Sequence, residues 1–153
     1  GLRYAQKYAV KVGGAENHRL GLYDAVLIKE NHIAAAGGIS AAIARARALW
    51  PDLLIEIEVE SIDEYREARS ARPDRIMLDE LSPQDLAIAV AERPPGIELE
   101  VSGGIDEQRL AALTALGIDY ISIGALTKHV RAIDLSLRWR PAQATASPNR
   151  ASD

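Results

Sequence analysis

The sequence predicts an α/β protein built on parallel strands, and two observations support this class. Short apolar runs with strand character recur along the chain, and segments with helical periodicity separate them. Strand–helix alternation at this pitch is typical of βαβ units, which form an open doubly wound sheet or a closed barrel. A complete eight-stranded barrel takes ~250 residues. The 153 residues therefore fit either an open sheet or an incomplete TIM-like barrel.

The predicted strands follow from these apolar runs. In chain order they span residues 25–29, 54–59, 75–79, 97–102 and 119–124. The second run, LLIEIEVE at 53–60, alternates apolar residues with carboxylates, which is the strand period of two. Glu56, Glu58 and Glu60 share one parity, so Glu56 and Glu58 are expected on one face of that strand, and Glu60 is expected to belong to the turn before Ser61.

Helices are predicted between the strands from their apolar spacing and their end residues. One carries an i, i+3, i+4, i+7 stripe that stops before Pro51: Ile39, Ala42, Ile43, Ala46 and Leu49. Ser61 and Glu64 form a capping box for the next helix, Ser82 begins a third, and Asp106 caps a fourth. We expect one barrel domain over residues 1–138, and a disordered tail over 139–153, which is rich in Ala, Ser and Pro.

Composition narrows the classes of function. A net charge of −4 argues against general binding to nucleic acids or to anionic membranes. No apolar run reaches the ~20 residues of a membrane span. The chain has no cysteine, so disulfides and thiolate metal sites are excluded. We expect a cytoplasmic protein that acts on small molecules.

Charged residues interrupt the predicted strands, whereas buried parallel strands are normally continuous apolar runs. They are Lys29, Glu56, Glu58, Asp79, Glu98 and Glu100. In a barrel, Ile55, Ile57 and Val59 would pack under helices and leave the glutamates in the lumen. A solvated or paired surface position would explain any one of these charges. The set, however, gathers toward the carboxyl ends of the strands, where barrel enzymes have their active sites.

Two glycine-containing turns predict a phosphate site. Ser102-Gly103-Gly104 and Gly124-Ala125 each follow a late strand, where backbone N–H groups can approach an anion. Plain tight turns would explain either one alone. The neighbouring carboxylates need a cation between them, either a divalent metal such as Mg²⁺ or Lys29.

The motifs resemble one family, the quinolinate phosphoribosyltransferases, also called carboxylating nicotinate-nucleotide pyrophosphorylases. The matching stretches run through residues 1–138 in order: GLRYAQKYAVKVGGAENHRLGLYDAVLIKENHI (1–33), IEIEVES (55–61), IMLDE (76–80), LEVSGGI (99–105) and GIDYISIGALT (117–127). The pattern NHR-x-GLYD-x-VLIK-x-NH is far more specific than a generic barrel motif.

The resemblance implies a fold and an activity. The family has an N-terminal α/β sandwich followed by an incomplete α/β barrel, so this chain is expected to be the barrel without the sandwich. The implied reaction joins quinolinate to phosphoribosyl pyrophosphate with Mg²⁺, and gives nicotinate mononucleotide, pyrophosphate and CO₂. The family is at least dimeric, so a homodimer or higher oligomer is expected for the full-length protein. The barrel alone is expected to be inactive, because family members also use a basic arm and a partner-subunit arginine.

Residue by residue, the resemblance implies these roles. His18 and Arg19 would bind the quinolinate carboxylates, and Lys29 would lie at the reaction centre. Glu58 and Asp79 would contact the ribose hydroxyls and Mg²⁺. The 5′-phosphate would lie against Ser102, Gly103, Gly104, Gly124 and Ala125. Glu100, a carboxylate within the fourth strand, completes the predicted substrate-binding set.

Two departures from the family pattern leave alternatives open. Glu80 stands where the family usually has Asn, and Thr127-Lys128-His129 replaces the usual Thr-His-Ser. An inactive barrel or binding module is one alternative, and the molybdenum-associated relative of the family is another. A third is a barrel in which Lys29 forms a Schiff base in aldol chemistry.

Overall fold

The computed structural model describes residues 2–139, in which one five-stranded parallel sheet has the order β1-β2-β3-β4-β5. The strands are β1 (Ala25–Ile28), β2 (Leu54–Val59), β3 (Arg75–Asp79), β4 (Glu98–Ser102) and β5 (Tyr120–Ile121). Because each strand lies beside its predecessor, the chain winds in one direction, as in a barrel. A doubly wound sheet would reverse its strand order at a switch point. The fold is therefore the incomplete TIM-like barrel.

Helices connect the strands. They are α1 (Leu2–Val12), α2 (Glu30–Ala36), α3 (Ile39–Leu49), α4 (Ile62–Ala71), α5 (Pro83–Ala91), α6 (Glu107–Thr114) and α7 (Ala125–Lys128). The predicted bounds of β2 and β3 are confirmed, β1 and β4 differ by one residue, and β5 is shorter than predicted. The helices α2 and α7 were not predicted, because each is short and lies directly after polar strand-end residues. Most of the predicted disordered tail, residues 140–153, lies outside the described residues.

The predicted helix caps form. Ser61 Oγ accepts the Glu64 N–H at 3.3 Å, while the Glu64 carboxylate accepts the Glu60 N–H at 2.8 Å. The second bond reaches one residue further back than in an ideal capping box. Ser82 and Asp106 also cap their helices through side-chain oxygens. The helix start points that were read from the sequence are thus confirmed.

The core lies between the sheet and the helices that cover its outer face. The outward residues of three strands are fully buried: Ile55, Ile57, Val59, Ile76, Leu78, Leu99 and Val101. The predicted stripe on α3 packs here, except that Leu49 is 56% exposed, because it is the last residue of the helix. Tyr65 of α4 is fully buried, and its hydroxyl donates to the Ala89 carbonyl at 2.7 Å.

Two aspartates join neighbouring strands at the amino ends of the sheet. Asp74, just before β3, accepts the Ile55 N–H at 2.7 Å and Arg47 Nη2 at 2.8 Å. Asp119, just before β5, accepts the Leu99 N–H at 2.8 Å and is also paired with an arginine, Arg93. Each aspartate therefore satisfies a backbone donor near the start of the neighbouring strand, and Asp74 also ties α3 to the sheet.

Candidate active site

The inner face of the sheet is polar, and the strand register aligns its side chains in two rows. The row nearer the amino ends contains Glu56, Arg75 and Glu98, and the next row contains Glu58, Met77, Glu100 and Tyr120. Successive strand residues alternate between faces, so the buried apolar set and the charged set occupy opposite sides. The predicted separation of apolar outer residues from inner glutamates is confirmed.

A cavity of about 1080 Å³ opens over the inner face at the carboxyl ends of the strands. Most of the predicted site residues line it: His18, Lys29, Glu58, Glu100, Ser102, Gly103, Gly104, Gly124 and Ala125. A cavity at this edge of a barrel sheet is the usual location of an enzyme site.

Lys29 and Glu58 form an ion pair at the centre of one wall. Lys29 follows β1 directly and precedes the first residue of α2, and its backbone N–H donates to His32 Nδ1 at 3.0 Å. The Glu58 side chain is only 10% exposed, whereas that of Lys29 is 42% exposed. The strand holds the carboxylate, and the lysine remains accessible to a ligand in the cavity.

Glu58 also belongs to an acidic cluster. Carboxylate oxygens of Glu58, Glu60 and Asp79 all lie within 4.8 Å of one another. Three close carboxylates repel each other unless a cation lies among them, and Lys29 faces only Glu58. An all-oxygen ligand set is the type that Mg²⁺ prefers. The residues present therefore fit a bound Mg²⁺.

The first glycine turn requires glycine at position 103. Gly103 has φ = 87°, and a Cβ there would lie 2.4 Å from Glu80 Cγ and 3.2 Å from Asp79 Oδ1. Glu80 itself has φ = 55°, in the left-handed region that asparagine tolerates better than glutamate. Arg109 Nη1 donates to the Gly103 carbonyl at 2.8 Å. The turns after β3 and β4 therefore interlock, and this holds Asp79 close to the cavity.

Lys128 lies at the second glycine turn. It lines the cavity, and a Cβ on Gly124 would lie 3.6 Å from Lys128 Nζ. The departure from the family pattern at this position therefore puts an ammonium group beside the predicted phosphate site.

A second polar cluster lies deeper, beneath the cavity. Atoms of His18, Glu56 and Glu100 lie within 4.8 Å of one another, with His18 Nε2 2.7 Å from Glu56 Oε2. Glu56 and Glu100 are 1% and 2% exposed. The hydrogen bond to Glu56 raises the pKa of His18, and burial, with the Glu56 charge, raises the pKa of Glu100.

Arg19 lies apart from its predicted partner. It lines a second groove, between β1, α2 and α3, together with Leu22, Tyr23 and His32. His18 and Arg19 therefore do not line one cavity, and shared binding of a dicarboxylate by this pair stays a prediction. Asp79 is not among the residues that line the cavity. It lies next to the site as a member of the acidic cluster with Glu58 and Glu60.

The sequence analysis did not place four residues at the site: Glu60, Arg75, Arg109 and Ser122. Glu60 was predicted to be a turn residue, although its parity with Glu56 and Glu58 could have placed it with the acidic cluster. Arg75 lines the cavity and was read only as the start of a strand. Ser122, whose hydroxyl donates to Glu100, and Arg109 carry no signal in the sequence, because their contacts depend on packing between distant turns.

The fold and the cavity together define an α/β-barrel protein with an open cavity at the carboxyl ends of its parallel strands. Among the helices of residues 2–139, none combines the length and the hydrophobicity that a membrane span requires. The family model for the quinolinate phosphoribosyl transferase C-terminal domain matches residues 1–138. The chain belongs to this family.

Individual relatives agree with the family match. The chain is 43% identical to nicotinate-nucleotide pyrophosphorylase [carboxylating] from Mycobacterium leprae, over 90% of this chain and 49% of the relative. A protein from Bacillus subtilis with the same name, marked probable, is 44% identical over 90% of this chain and 48% of its own length. The chain therefore spans about half the length of these curated relatives.

Solved structures share the fold. The nicotinate-nucleotide pyrophosphorylase from Francisella tularensis superposes with a TM-score of 0.84 at 50% identity, covering 88% of this chain and 48% of that one. NadC from Streptococcus pyogenes gives a TM-score of 0.85 at 42% identity, covering 91% and 49%.

Proposed function

We propose that this chain is the barrel half of a quinolinate phosphoribosyltransferase that makes nicotinate mononucleotide for NAD biosynthesis. One observation carries the proposal: in a chain of this family, a single cavity contains the Lys29–Glu58 pair, His18 and both glycine turns. The cavity thus offers cations for carboxylates, a carboxylate for the ribose, and backbone N–H groups for a phosphate.

Each group has a role in the proposed reaction. Loss of pyrophosphate develops positive charge on the ribose, which the fixed carboxylate of Glu58 stabilises electrostatically. Lys29 lies between the bound acid and the phosphoribosyl group and orients a substrate carboxylate. Decarboxylation needs no protein base, because the quaternised ring nitrogen accepts the electron pair. Ser102, Gly103, Gly104, Gly124 and Ala125 bind the 5′-phosphate.

Mg²⁺ is part of the proposal. Glu58 and Asp79, with Glu60 added by the geometry, would hold it. The bound ion would supply positive charge against the pyrophosphate leaving group.

The aldol alternative is less well supported. Lys29 Nζ donates to the Glu58 carboxylate, which suits a cation and not the free amine that Schiff-base formation needs. Borohydride trapping with a carbonyl substrate tests this alternative directly, since a stable adduct at Lys29 would support it.

The whole protein is proposed to be cytoplasmic and to act as a homodimer or higher oligomer. The test is a turnover assay of this chain in two forms, alone and joined to the additional half of the Bacillus subtilis relative. With quinolinate, phosphoribosyl pyrophosphate and Mg²⁺, the joined form should produce nicotinate mononucleotide, and the chain alone should not. No product from a folded, joined form would contradict the proposal.

A further inference from the structure

Glu56 is a buried carboxylate that the proposed reaction leaves without a role. It lies on β2 with 1% exposure, and its Oε2 is 2.7 Å from His18 Nε2. Its other oxygen, Oε1, has no hydrogen-bond partner among residues 2–139. A buried, half-satisfied carboxylate costs stability, so its presence calls for a function.

Glu100 and its partners fix the surroundings of Glu56. Ser122 donates to Glu100 Oε1, and Arg75 Nη1 lies 3.3 Å from Glu100 Oε2. Arg75 is itself held by Glu98 at 2.7 Å and lies 3.8 Å from the centre of the Tyr120 ring. The guanidinium supplies positive charge next to the buried carboxylates, so this cluster needs no metal ion.

The contact with Glu56 determines which ring nitrogen of His18 a ligand can use. An ionised Glu56 only accepts hydrogen bonds, so Nε2 carries the proton that faces it, and Nδ1 is left for the cavity. The charged groups around the ring are Glu56 from β2, Glu100 from β4 and Arg19 from its own loop. The hydrogen bond to Glu56 and the charges of both carboxylates outweigh burial and Arg19, so the pKa of His18 is raised and the imidazolium form, in which Nδ1 also donates, is favoured.

We propose that Glu56 is a positioning residue, which holds His18 through Nε2 so that Nδ1–H is offered to a carboxylate of the aromatic acid in the cavity. This inference rests on the proposed function and names the residue that prepares the acid-binding group. Glu56 does not touch substrate in this scheme. It sets the orientation and the charge of the side chain that does.

The experiment follows the ring nitrogens of His18 by NMR in the full chain labelled with ¹⁵N-histidine. In the wild type, Nε2 should carry a proton throughout, and the ring should titrate above its ordinary pKa of 6.5. Glu56→Gln should lower the pKa of His18 and mix the tautomers. His32 and His129 serve as internal references. Glu56→Asp, which keeps the charge on a shorter side chain, should restore part of the shift.

Calorimetry of the joined form with pyridine-2,3-dicarboxylate gives the second readout. At pH 7, Glu56→Gln should weaken binding on the order of tenfold and flatten its pH dependence, while binding of inorganic phosphate stays the same. Glu92→Gln is the matched control, because Glu92 pairs with Arg66 and Arg69 of α4 and neither contacts His18 nor lines the cavity.

The outcomes separate the two proposals. Unchanged His18 titration and unchanged pH dependence of binding in Glu56→Gln would overturn the positioning role. If the dicarboxylate does not bind the wild-type joined form at any pH, the proposed function fails, and the ring titration still decides the role of Glu56. Should Glu56→Gln unfold, Glu56→Asp carries the same test.

Discussion

The two faces of the sheet differ in what holds their side chains in place, although the same five strands form both. On the outer face, Ile57, Leu78 and Leu99 are fully buried under helices, and their contribution scales with the apolar area removed from water. On the inner face, Glu56, Arg75 and Glu100 are held by paired hydrogen bonds whose geometry must be specific. The outer face therefore stabilises the fold through apolar burial, whereas burying the charged groups of the inner face costs stability.

The largest expected effect is a loss of stability on changing a buried residue of the outer face. Leu78→Ala should lower the free energy of unfolding by about 2–5 kcal/mol, because it removes buried methyl groups and leaves a cavity. Denaturant unfolding measures the loss. Val12→Ala, on the exposed side of α1, is the control and should change little; equal losses would contradict the division between core and surface.

The next largest effect is a loss of turnover on changing inner-face residues, with little change in the free energy of unfolding. In the joined protein, Lys29→Ala and Glu58→Ala should each lower turnover by about 10²–10³-fold, with an unfolding midpoint close to that of the wild type. Lys11→Ala removes a surface lysine paired with Glu16 and should keep full turnover. Wild-type rates from both cavity variants would remove Lys29 and Glu58 from the site.

A smaller effect is the pH dependence of stability that the buried Glu100 of the inner face produces. Burial and the Glu56 charge raise the pKa of Glu100 above 4.5, so its protonated form is favoured in the folded state. This contribution to stability is complete below pH 4.5 and is lost as the pH rises through the raised pKa. Because glutamine does not titrate, the melting temperature of Glu100→Gln minus that of the wild type should increase with pH. A constant difference between pH 4 and 8 would contradict the assigned direction.

The smallest effect concerns Glu80, in the turn that directly follows β3. Glu80→Asn should stabilise the protein by less than about 1 kcal/mol, because asparagine adopts the left-handed conformation at lower cost. Thermal melts of this variant and of Glu16→Asn, a matched change at an exposed residue outside that conformation, provide the comparison. A lower melting temperature for Glu80→Asn would mean that the glutamate makes a compensating contact.

Local patterns in the sequence predicted most of the sheet and many of the residues that line the cavity. The alternation in LLIEIEVE identified β2 and separated Ile57 from Glu58, because strand parity depends only on neighbouring residues. The sequence left an open sheet and a barrel as alternatives, since strand order depends on long-range pairing. Arg75 and Ser122 were missed for the same reason: their partner, Glu100, is distant in sequence and close only after folding.

The separation of His18 from Arg19 also could not be predicted. Adjacent residues in a loop can point in opposite directions, and the loop conformation is set by Asp24, which accepts the N–H groups of Leu20 and Gly21 at 2.7 and 3.0 Å. Sequence adjacency was therefore a poor guide to a shared site here.

The aspartates before β3 and β5 have a consequence for how such a domain can change over evolution. Asp74 and Asp119 fix strand spacing at the amino ends of β3 and β5, and they pair with Arg47 of α3 and with Arg93, which follows α5. None of these bonds involves the acidic cluster or the Ser102–Gly104 turn. Substitutions in the acidic cluster or in that turn can therefore accumulate while these bonds keep the strands in place, which makes this half-barrel a tolerant scaffold for new specificities.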